Sequence, residues 1–566
     1  MHLSTVQIEN FRGLRNVQID LAPITLLIGE NNCGKTSLLD AIRIVMSRTA
    51  GRRTGTFDPY DYHLEGEDAE AQDADPISIT LTFRTEDGET LSDEFIQVLG
   101  DVLVTDSAGK SILIFRVTSG FDSTVKDFVS DWRFLDSSGN PLGSRSKKPS
   151  ILQDFQRLFP IFYLSALRDA VREFRTGAYW TPFLKNLAID PNLKHELQNQ
   201  INDLNNAVLD AHDSLKSVKS HLAKIQGLVP VGGKTDIVDI EALPSRISDL
   251  LTGTQVNLNA SSGASIPLAR HGAGTQSLSV LFLFQAYLSA MLEQQYDELS
   301  SPLLALEEPE AHLHPFATRS LWSTLQAIPG RKIVASHSGD LVANAPLASI
   351  RRMYSLNGDT KIGFIPPNLL DADEERKIQF HITEGRGELL FARCWLLYEG
   401  ESEHWILDGI ARSSGRDLDR WGVRMVSYRN SGHQCLLKAA NAWGIPWFIL
   451  ADGDAQGNAT VASARTYLNG AKESDRILQI PEDSVELHLC ANGLGSSFEK
   501  HISPQKNQTI TASKGTAQYW EQVLSARDGA PKPTVIQEVV HEISNGAKPP
   551  QQLVNVLDRS LKLAGA

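Results

Sequence analysis

The chain has 566 residues, 41% of them hydrophobic and 22% charged. That is the balance of an ordinary globular protein, too long for one hydrophobic core. Its formal net charge of −14 repels nucleic acid overall, so any polyanion contact must come from local basic groups or bound metal. The four cysteines contain no C-x-x-C pair, which gives no zinc-site spacing and no disulfide framework.

Val6 and Ile8, then Val17 and Ile19, alternate as strands. Residues 24–28 form an apolar strand running into Gly29-Glu30-Asn31-Asn32-Cys33-Gly34-Lys35-Thr36, and 36–45 continue as a helix. This is a complete G-x-x-x-x-G-K-[ST] loop in the strand–loop–helix setting that it requires. Gly29 and Gly34 let the backbone curl so that its N–H groups face phosphate at a helix N-terminus. Gly29, Asn31, Asn32, Gly34, Lys35, Thr36 and Ser37 are the candidate ATP contacts. Lys35 is expected at the β- and γ-phosphates and the Thr36 hydroxyl at Mg²⁺.

Arg43, Arg48, Arg52 and Arg53 are one candidate basic patch, and Arg145, Lys147 and Lys148 another; a solvated surface is the alternative for each. Residues 66–76 read as an acidic loop, followed by strands at 77–83 and 112–117. Leu197, Ile201, Leu204, Val208, Ala211, Leu215, Val218, Leu222 and Ile225 step by fours and threes, with no Pro or Gly between Pro191 and Gly227. That is a heptad stripe on a helix roughly 50 Å long. It suits a protruding hairpin or a dimer seam, or an amphipathic helix packed on its own domain. The greasy run 278–292 reads as a buried helix, because a membrane span needs roughly 20 apolar residues. No membrane contact is expected, and the N-terminus lacks a signal-peptide layout, so a cytoplasmic protein is expected.

Residues 303–306 form a hydrophobic strand ending in Glu307-Glu308, the Walker B pattern. Glu307 is expected in the magnesium shell, through water since aspartate is usual there, and Glu308 as the residue polarising the attacking water. His271-Gly272-Ala273-Gly274-Thr275-Gln276-Ser277 resembles the signature loop of ABC-type ATPases, with Gly272, Gly274 and Gln276 toward a γ-phosphate. His337 ends the strand 332–335 and resembles their switch histidine. These elements resemble the ABC heads of the structural-maintenance and recombination-repair group. Ile8-Glu9-Asn10-Phe11-Arg12 matches that group's N-terminal strand, with Phe11 and Arg12 either nucleotide contacts or simply a core aromatic and a surface cation. The resemblance implies at least a dimer, with the signature acting in trans.

After the charged stretch 371–376, a plausible domain boundary, the pattern resets. Strand 395–398, helix 404–412, strand 423–428, helix 434–443 and strand 447–450 describe a second βαβ domain with a parallel sheet. Acids stand at the strand ends, where open α/β sheets bind ligands. Glu399 follows the first strand and Asp452 and Asp454 the third, the last two on one side if strand geometry continues. Glu403 opens the intervening helix, and Ser484 with Glu486 follows the apolar stretch 477–480. Oxygen ligands of this kind suit Mg²⁺ or Mn²⁺, and two such ions can clamp a phosphodiester. The arrangement resembles the Toprim domain, with Gln456 where a third aspartate often lies.

An ABC head with Glu-Glu-Pro-Glu-Ala-His-Leu-His-Pro at 307–315, then a Toprim domain, resembles the OLD (overcoming lysogenization defect) family. The implied architecture is α/β: an ABC-type P-loop ATPase with a helical dimerisation insertion, then a Rossmann-like Toprim sheet. Its parts are the ATPase at 1–170 and 251–370, the insertion at 171–250 and Toprim at 390–566. The resemblance implies an ATP-dependent, metal-dependent DNA endonuclease serving in phage defence, homodimeric or larger. A partner is possible, either a helicase-like protein or a reverse transcriptase with its nucleic acid. The implied metal ligands are Glu399, Glu403, Asp452, Asp454, Ser484 and Glu486, with Lys548 stabilising charge on the scissile phosphate. The alternative is a non-catalytic ATP-driven DNA clamp or sensor whose Toprim domain only binds DNA.

Overall fold

A computed structural model describes residues 1–47, 54–66, 69–164, 191–211, 257–259, 265–267, 270–272, 274–275, 299–311, 313–385 and 387–566. The chain divides into two compact units: residues 1–163, 296–310 and 315–566 form one, and 164–295 with 311–314 the other.

The first unit is built on three sheets. Strands β1 (His2–Phe11), β2 (Leu14–Asp20), β4 (Ile77–Arg84), β5 (Val104–Thr105), β6 (Ser111–Asp122) and β7 (Asp127–Leu135) pair antiparallel in the order β2-β1-β4-β6-β5, with β7 also on β6. The second sheet joins distant pieces of chain: β3 (Ile24–Gly29), β8 (Ile161–Leu164), β11 (Leu303–Glu307), β12 (Arg331–Ala335), β13 (Ile350–Leu356) and β14 (Asp359–Gly363). Its order is β14-β13-β3-β12-β11-β8, with β13, β3, β12 and β11 mutually parallel. β3 is buried along its whole length, which is why it reads as an unbroken apolar run rather than an alternating one. The helix Lys35–Met46 covers these sheets through Leu38, Leu39, Ile42 and Val45, part of one continuous core with Phe11, Phe83 and Phe155.

The third sheet is wholly parallel, in the order β16-β15-β17-β18, from β15 (Cys394–Tyr398), β16 (Val423–Ser427), β17 (Trp447–Ala451) and β18 (Ile477–Gln479). Helices Glu401–Ser413, Lys532–Ser544 and Gln551–Leu563 pack against it around a second core, and His433–Trp443 connects β16 to β17. Strand and helix positions follow the sequence expectation to within a few residues. The stretch 371–376 differs: it opens the helix Ala372–Glu384, which Asp371 caps in a reciprocal capping box with Glu374, so its charges serve a helix start. The three-residue turn Ala71–Asp73 interrupts the expected loop at 66–76.

In the second unit the described elements are the helix Pro191–Ala211 and the antiparallel pair β9 (Asn257–Asn259) and β10 (Ser265–Pro267). Along this helix Leu197, Ile201 and Val208 are half-buried and Leu204 is 52% exposed. The rest of the heptad stripe, and the run 278–292, lie outside the described residues. Among the described residues no helix is long and apolar enough to cross a membrane.

Candidate functional site

Gly29 ends β3 at φ +148°, and a Cβ there would stand 2.2 Å from the Met353 carbonyl oxygen, so only glycine fits. Asn32 and Gly34 also take positive φ, and Gly34 opens the following helix. The buried Lys35 Nζ donates to the carbonyls of Gly29 and Glu30, at 2.9 Å each. Burial lowers its pKa, against the charges of Cys33, Glu308 and Glu30. Asn31, Asn32 and Thr36 are exposed and Ser37 is half-buried.

β11 delivers Glu307 and Glu308 beside this loop. The Glu307 Oε1 is buried with no hydrogen-bond partner among the described residues. Burial, and then the Glu307 charge, raise the pKa of the Tyr163 hydroxyl, which hydrogen-bonds that carboxylate. A buried carboxylate oxygen without a hydrogen-bond partner fits a hard divalent ion. Glu308 has φ +44°, a left-handed backbone that costs a non-glycine residue about 1–3 kcal/mol. Its N–H donates to the Ala335 carbonyl at 2.8 Å. His337 titrates below its ordinary value through partial burial and then the Lys35 charge, with Glu308 opposing; Lys35, Glu308 and His337 therefore form one electrostatic group.

Phe11 is fully buried, while Arg12 is fixed between Asp40 at 2.7 Å and Asp61 at 2.9 Å and lies over the Phe11 ring. Both serve packing in this structure. Arg43 also pairs with Asp40, and Lys147 with Asp131, so neither is a free cation; Arg48, Arg52 and Arg53 lie outside the described residues. In the signature segment Gly272 is exposed and Gly274 half-buried, and Gln276 lies outside the described residues.

In the third sheet, β15 and β17 are hydrogen-bonded parallel neighbours, so their C-terminal ends carry Glu399 and Asp452 side by side. Burial raises the Asp452 pKa to about 8, reinforced by the charges of Glu403, Glu399, Glu486 and Asp454. Burial likewise raises Glu403, with Glu486 and Glu399 adding to it. The buried Tyr428 hydroxyl is raised by burial and by Glu399, Asp452, Glu403 and Asp454. Five carboxylates from four segments thus act on one another.

Each acid is held differently. Glu403 Oε2 accepts the Gly400 N–H at 3.1 Å. β17 stops at Ala451, so Asp454 does not continue a strand face; it caps the helix Ala455–Ala464, with Oδ1 accepting the Gly457 N–H at 2.6 Å. Ser484 likewise caps the next helix, its Oγ accepting the Leu487 N–H. Glu486 Oε1 accepts the Ser402 hydroxyl at 2.8 Å and meets Lys532 Nζ at 3.2 Å. Burial opposes its ionisation, but Lys532 and Ser402 win and hold its pKa below the ordinary value. Among the described residues no hydrogen bond or ion pair reaches the carboxylates of Glu399 and Asp452. No three His, Cys, Asp or Glu there already stand in a metal-binding cluster, as expected of like charges with nothing between them.

Lys532 reaches the acids because its helix, Lys532–Ser544, lies against Glu401–Ser413: a Cβ on Gly409 would come within 2.4 Å of Val540. Lys548 is exposed in the turn after that helix and makes no hydrogen bond or ion pair; the lysine brought to the acids is Lys532. Sequence reasoning passed over it because its neighbourhood, Pro531-Lys532-Pro533, marks only a helix start. It also assigned nothing to Glu310, whose Oε1 accepts the Ser336 hydroxyl at 2.6 Å and the His337 N–H at 3.0 Å. Burial raises the Glu310 pKa despite those two bonds. Two arginines tie the sheets together. Arg393, just before β15, grips the P-loop residue Glu30 with two bonds of 2.6 and 2.8 Å. Arg352 on β13, 4% exposed, donates to the carbonyls of Leu390, Ala392, Trp443 and Gly444.

Residues 1–388 match the family described as "Protein of unknown function (DUF2813)", and residues 390–454 match "Overcoming lysogenization defect protein-like, TOPRIM domain". The chain is 27% identical over 533 residues to "Uncharacterized protein YbjD" of Escherichia coli, covering 91% of each. It is 22% identical to the "Old nuclease" of Escherichia phage P2, over 89% of this chain and 86% of that one. Against the "OLD nuclease" of Thermus scotoductus it is also 22% identical, over 80% and 82%. An SMC head bound to the C-winged helix domain of ScpA overlaps at a TM-score of 0.35 and 13% identity, covering 65% of this chain and 98% of that one. The chain therefore belongs to the DUF2813 family and carries an OLD-like TOPRIM domain over residues 390–454.

Proposed function

We propose that this protein binds and hydrolyses ATP and is a divalent-metal-dependent DNA endonuclease. The observation that carries the nuclease reading is Asp452, pushed up to about 8 by burial among Glu403, Glu399, Glu486 and Asp454. So much uncompensated negative charge favours uptake of cations, and an all-oxygen donor set favours Mg²⁺ or Mn²⁺ over softer metals. Glu399 and Asp452, whose carboxylates no donor among the described residues occupies, would hold the cations together with Glu403, Glu486, Asp454 and Ser484. Bound there, the cations would supply an activated water and stabilise the leaving oxygen.

The chain's own groups do the rest. Ser402 and Lys532 fix Glu486, the Gly400 N–H fixes Glu403, and Lys532 offers its remaining donors to the scissile phosphate in the role first assigned to Lys548. At the nucleotide end, Lys35 leaves the Gly29 and Glu30 carbonyls for the phosphates, Thr36 and Glu307 serve Mg²⁺, Glu308 polarises the attacking water and His337 faces the γ-phosphate. Gly272, Gly274 and Gln276 act on the nucleotide of a second copy, so the working unit is a homodimer or larger. The likeness to Old nuclease of phage P2 supports the DNA-cutting reading and, with the family resemblance, a role in phage defence, which plaquing efficiency on cells carrying and lacking the protein tests.

The deciding experiment is plasmid cleavage by the full chain in Mg²⁺ or Mn²⁺, with nucleotide binding measured in parallel. Asp452→Ala is expected to abolish cutting and leave ATP binding intact. Equal cutting by wild type and variant would place the activity outside this site.

A further inference from the structure

The proposed ATPase site has one well-held acid with no role yet. Glu310 stands two residues beyond Glu308, separated by Pro309, which fixes the backbone between them. Its Oε1 receives both the Ser336 hydroxyl, at 2.6 Å, and the His337 N–H, at 3.0 Å. Ser336 is fully buried, and its Oγ in turn accepts the Ser338 N–H at 2.9 Å. Two residues earlier in the same turn, the Glu308 N–H donates to the Ala335 carbonyl at 2.8 Å. Three hydrogen bonds therefore stitch segment 308–310 to segment 335–337, the two pieces that present Glu308 and His337.

Glu308 needs that support. Its left-handed backbone, φ +44°, persists only where surrounding bonds over-determine it. The free Oε2 of Glu310 is buried with no partner among the described residues. A buried carboxylate oxygen without a partner costs stability that packing alone does not repay, which points to a task for this side chain.

We propose that Glu310 is a positioning residue for ATP hydrolysis: by accepting from Ser336 and from the His337 main chain, it sets the histidine at a fixed place relative to Glu308. The inference rests on the ATPase reading above. It does not concern the affinity for nucleotide, which Lys35 and the loop amides supply. Loss of the stitch therefore lowers turnover and leaves binding nearly untouched.

The test uses the full chain and its E310Q, E310A and E310D variants, with kcat and KM for ATP and nucleotide affinity measured separately. Glutamine keeps an oxygen where Oε1 stands, so E310Q is expected to stay within about threefold of wild-type kcat, while E310A falls about a hundredfold, the effect of a misplacement of roughly 1 Å. E310D, a methylene too short to reach both donors, should fall with E310A, and ATP affinity should change by less than about threefold in all three. Equal turnover by E310A and wild type overturns the proposal, as does a loss shared equally by E310Q and E310A. An E308Q control separates the two readings: if E308Q stops hydrolysis and E310A does not, only the positioning role fails. A wild-type chain that turns over no ATP, or an E308Q variant as active as wild type, removes both.

Discussion

Replacing Asp452 by asparagine tests the carboxylate site without relying on cleavage. The side chain keeps its shape and loses its charge. In the folded chain its pKa lies near 8 instead of the ordinary 3.8, about four pH units, for which linkage gives an upper bound of roughly 5–6 kcal/mol. Lys532, which offsets part of the cluster charge, and partial solvent access reduce the usable effect to about 2–3 kcal/mol. The sign follows from the direction of the shift. The folded value is raised, so the associated stability is complete below about pH 4 and is lost as pH climbs toward 8. Asparagine has nothing to lose over that window.

In chelator, Asp452→Asn is therefore expected to melt higher than wild type. The gap should widen between pH 5 and pH 8 by at most ~1.4 kcal/mol per pH unit and then level off. At about 1 °C per kcal/mol for a unit of roughly 430 residues, it reaches about 2–3 °C at pH 8. Added Mg²⁺ or Mn²⁺ should raise the wild-type melting temperature and leave the variant nearly where it was, because the cation replaces the missing countercharge only where the charge exists. Scanning fluorimetry across pH, with and without metal, reads both effects. The reasoning fails if the two proteins melt together at pH 8 in chelator, or if both gain equally from the cation.

Three further outcomes follow from named contacts. Glu308→Gln should retain ATP and slow its hydrolysis by about 10²–10⁴, the usual contribution of a positioned base; single-turnover assays with labelled nucleotide check it. Lys532→Met should lower cleavage kcat about 10²–10³-fold, as removal of one preorganised donor does, while Lys548→Met stays near wild type. Freed from Lys532, Glu486 should also ionise at higher pH, moving the acid limb of the cleavage profile upward. Arg352→Met should destabilise the first unit by about 3–5 kcal/mol, since it strands the carbonyls of Leu390, Ala392, Trp443 and Gly444 away from water. Limited proteolysis of the 364–371 connection should accelerate with it.

What the sequence revealed, it revealed through local chemistry. The P-loop is legible because every requirement lies within eight consecutive residues, and β3, β11, β15 and β17 because strands buried on both faces are continuous apolar runs. That Glu399 and Asp452 meet is expected wherever their strands are neighbours in a parallel sheet, but the topology decides it: β17 pairs with β15 and not with its chain predecessor β16. Lys532 could not be found in this way. It meets Glu486 across 46 residues through packing of Gly409 on Val540, and nothing in a lone surface lysine announces that. Strand geometry does not continue to Asp454: β17 stops before it, and the residue caps the next helix. The antiparallel β13 and β14 pair escaped notice because Arg351, Arg352 and Tyr354 break the apolar run, although in the fold the two arginines are buried.

Those arginines change how the two sites must be viewed. Interfaces between domains of one chain are usually polar and yielding, so relative motion is the default. Here the P-loop strand β3 lies beside β13, and the guanidinium of Arg352 spends its donors on carbonyls from two separate stretches of the Toprim half, 390–392 and 443–444. A planar fork satisfied in this manner has no second arrangement of equal energy, because tilting either sheet strands buried carbonyls. Gly363 and Gly444 tighten the same seam, since a Cβ on either would run into Trp443 or Tyr354 within 2.5 Å. With Arg352 on β13 holding the stretch just before β15, and Arg393 holding Glu30, a hinge opening between the halves would have to break these bonds. Among the described residues, a bound nucleotide would act first on Lys35, exchanging the Glu30 carbonyl for phosphate, and on the Glu30 carboxylate that Arg393 holds five residues before the end of β15. Among the described residues β15, lying between Arg393 and Glu399, is one path from the nucleotide to the acids, and the stretch 443–444 held by Arg352 ahead of β17 is another.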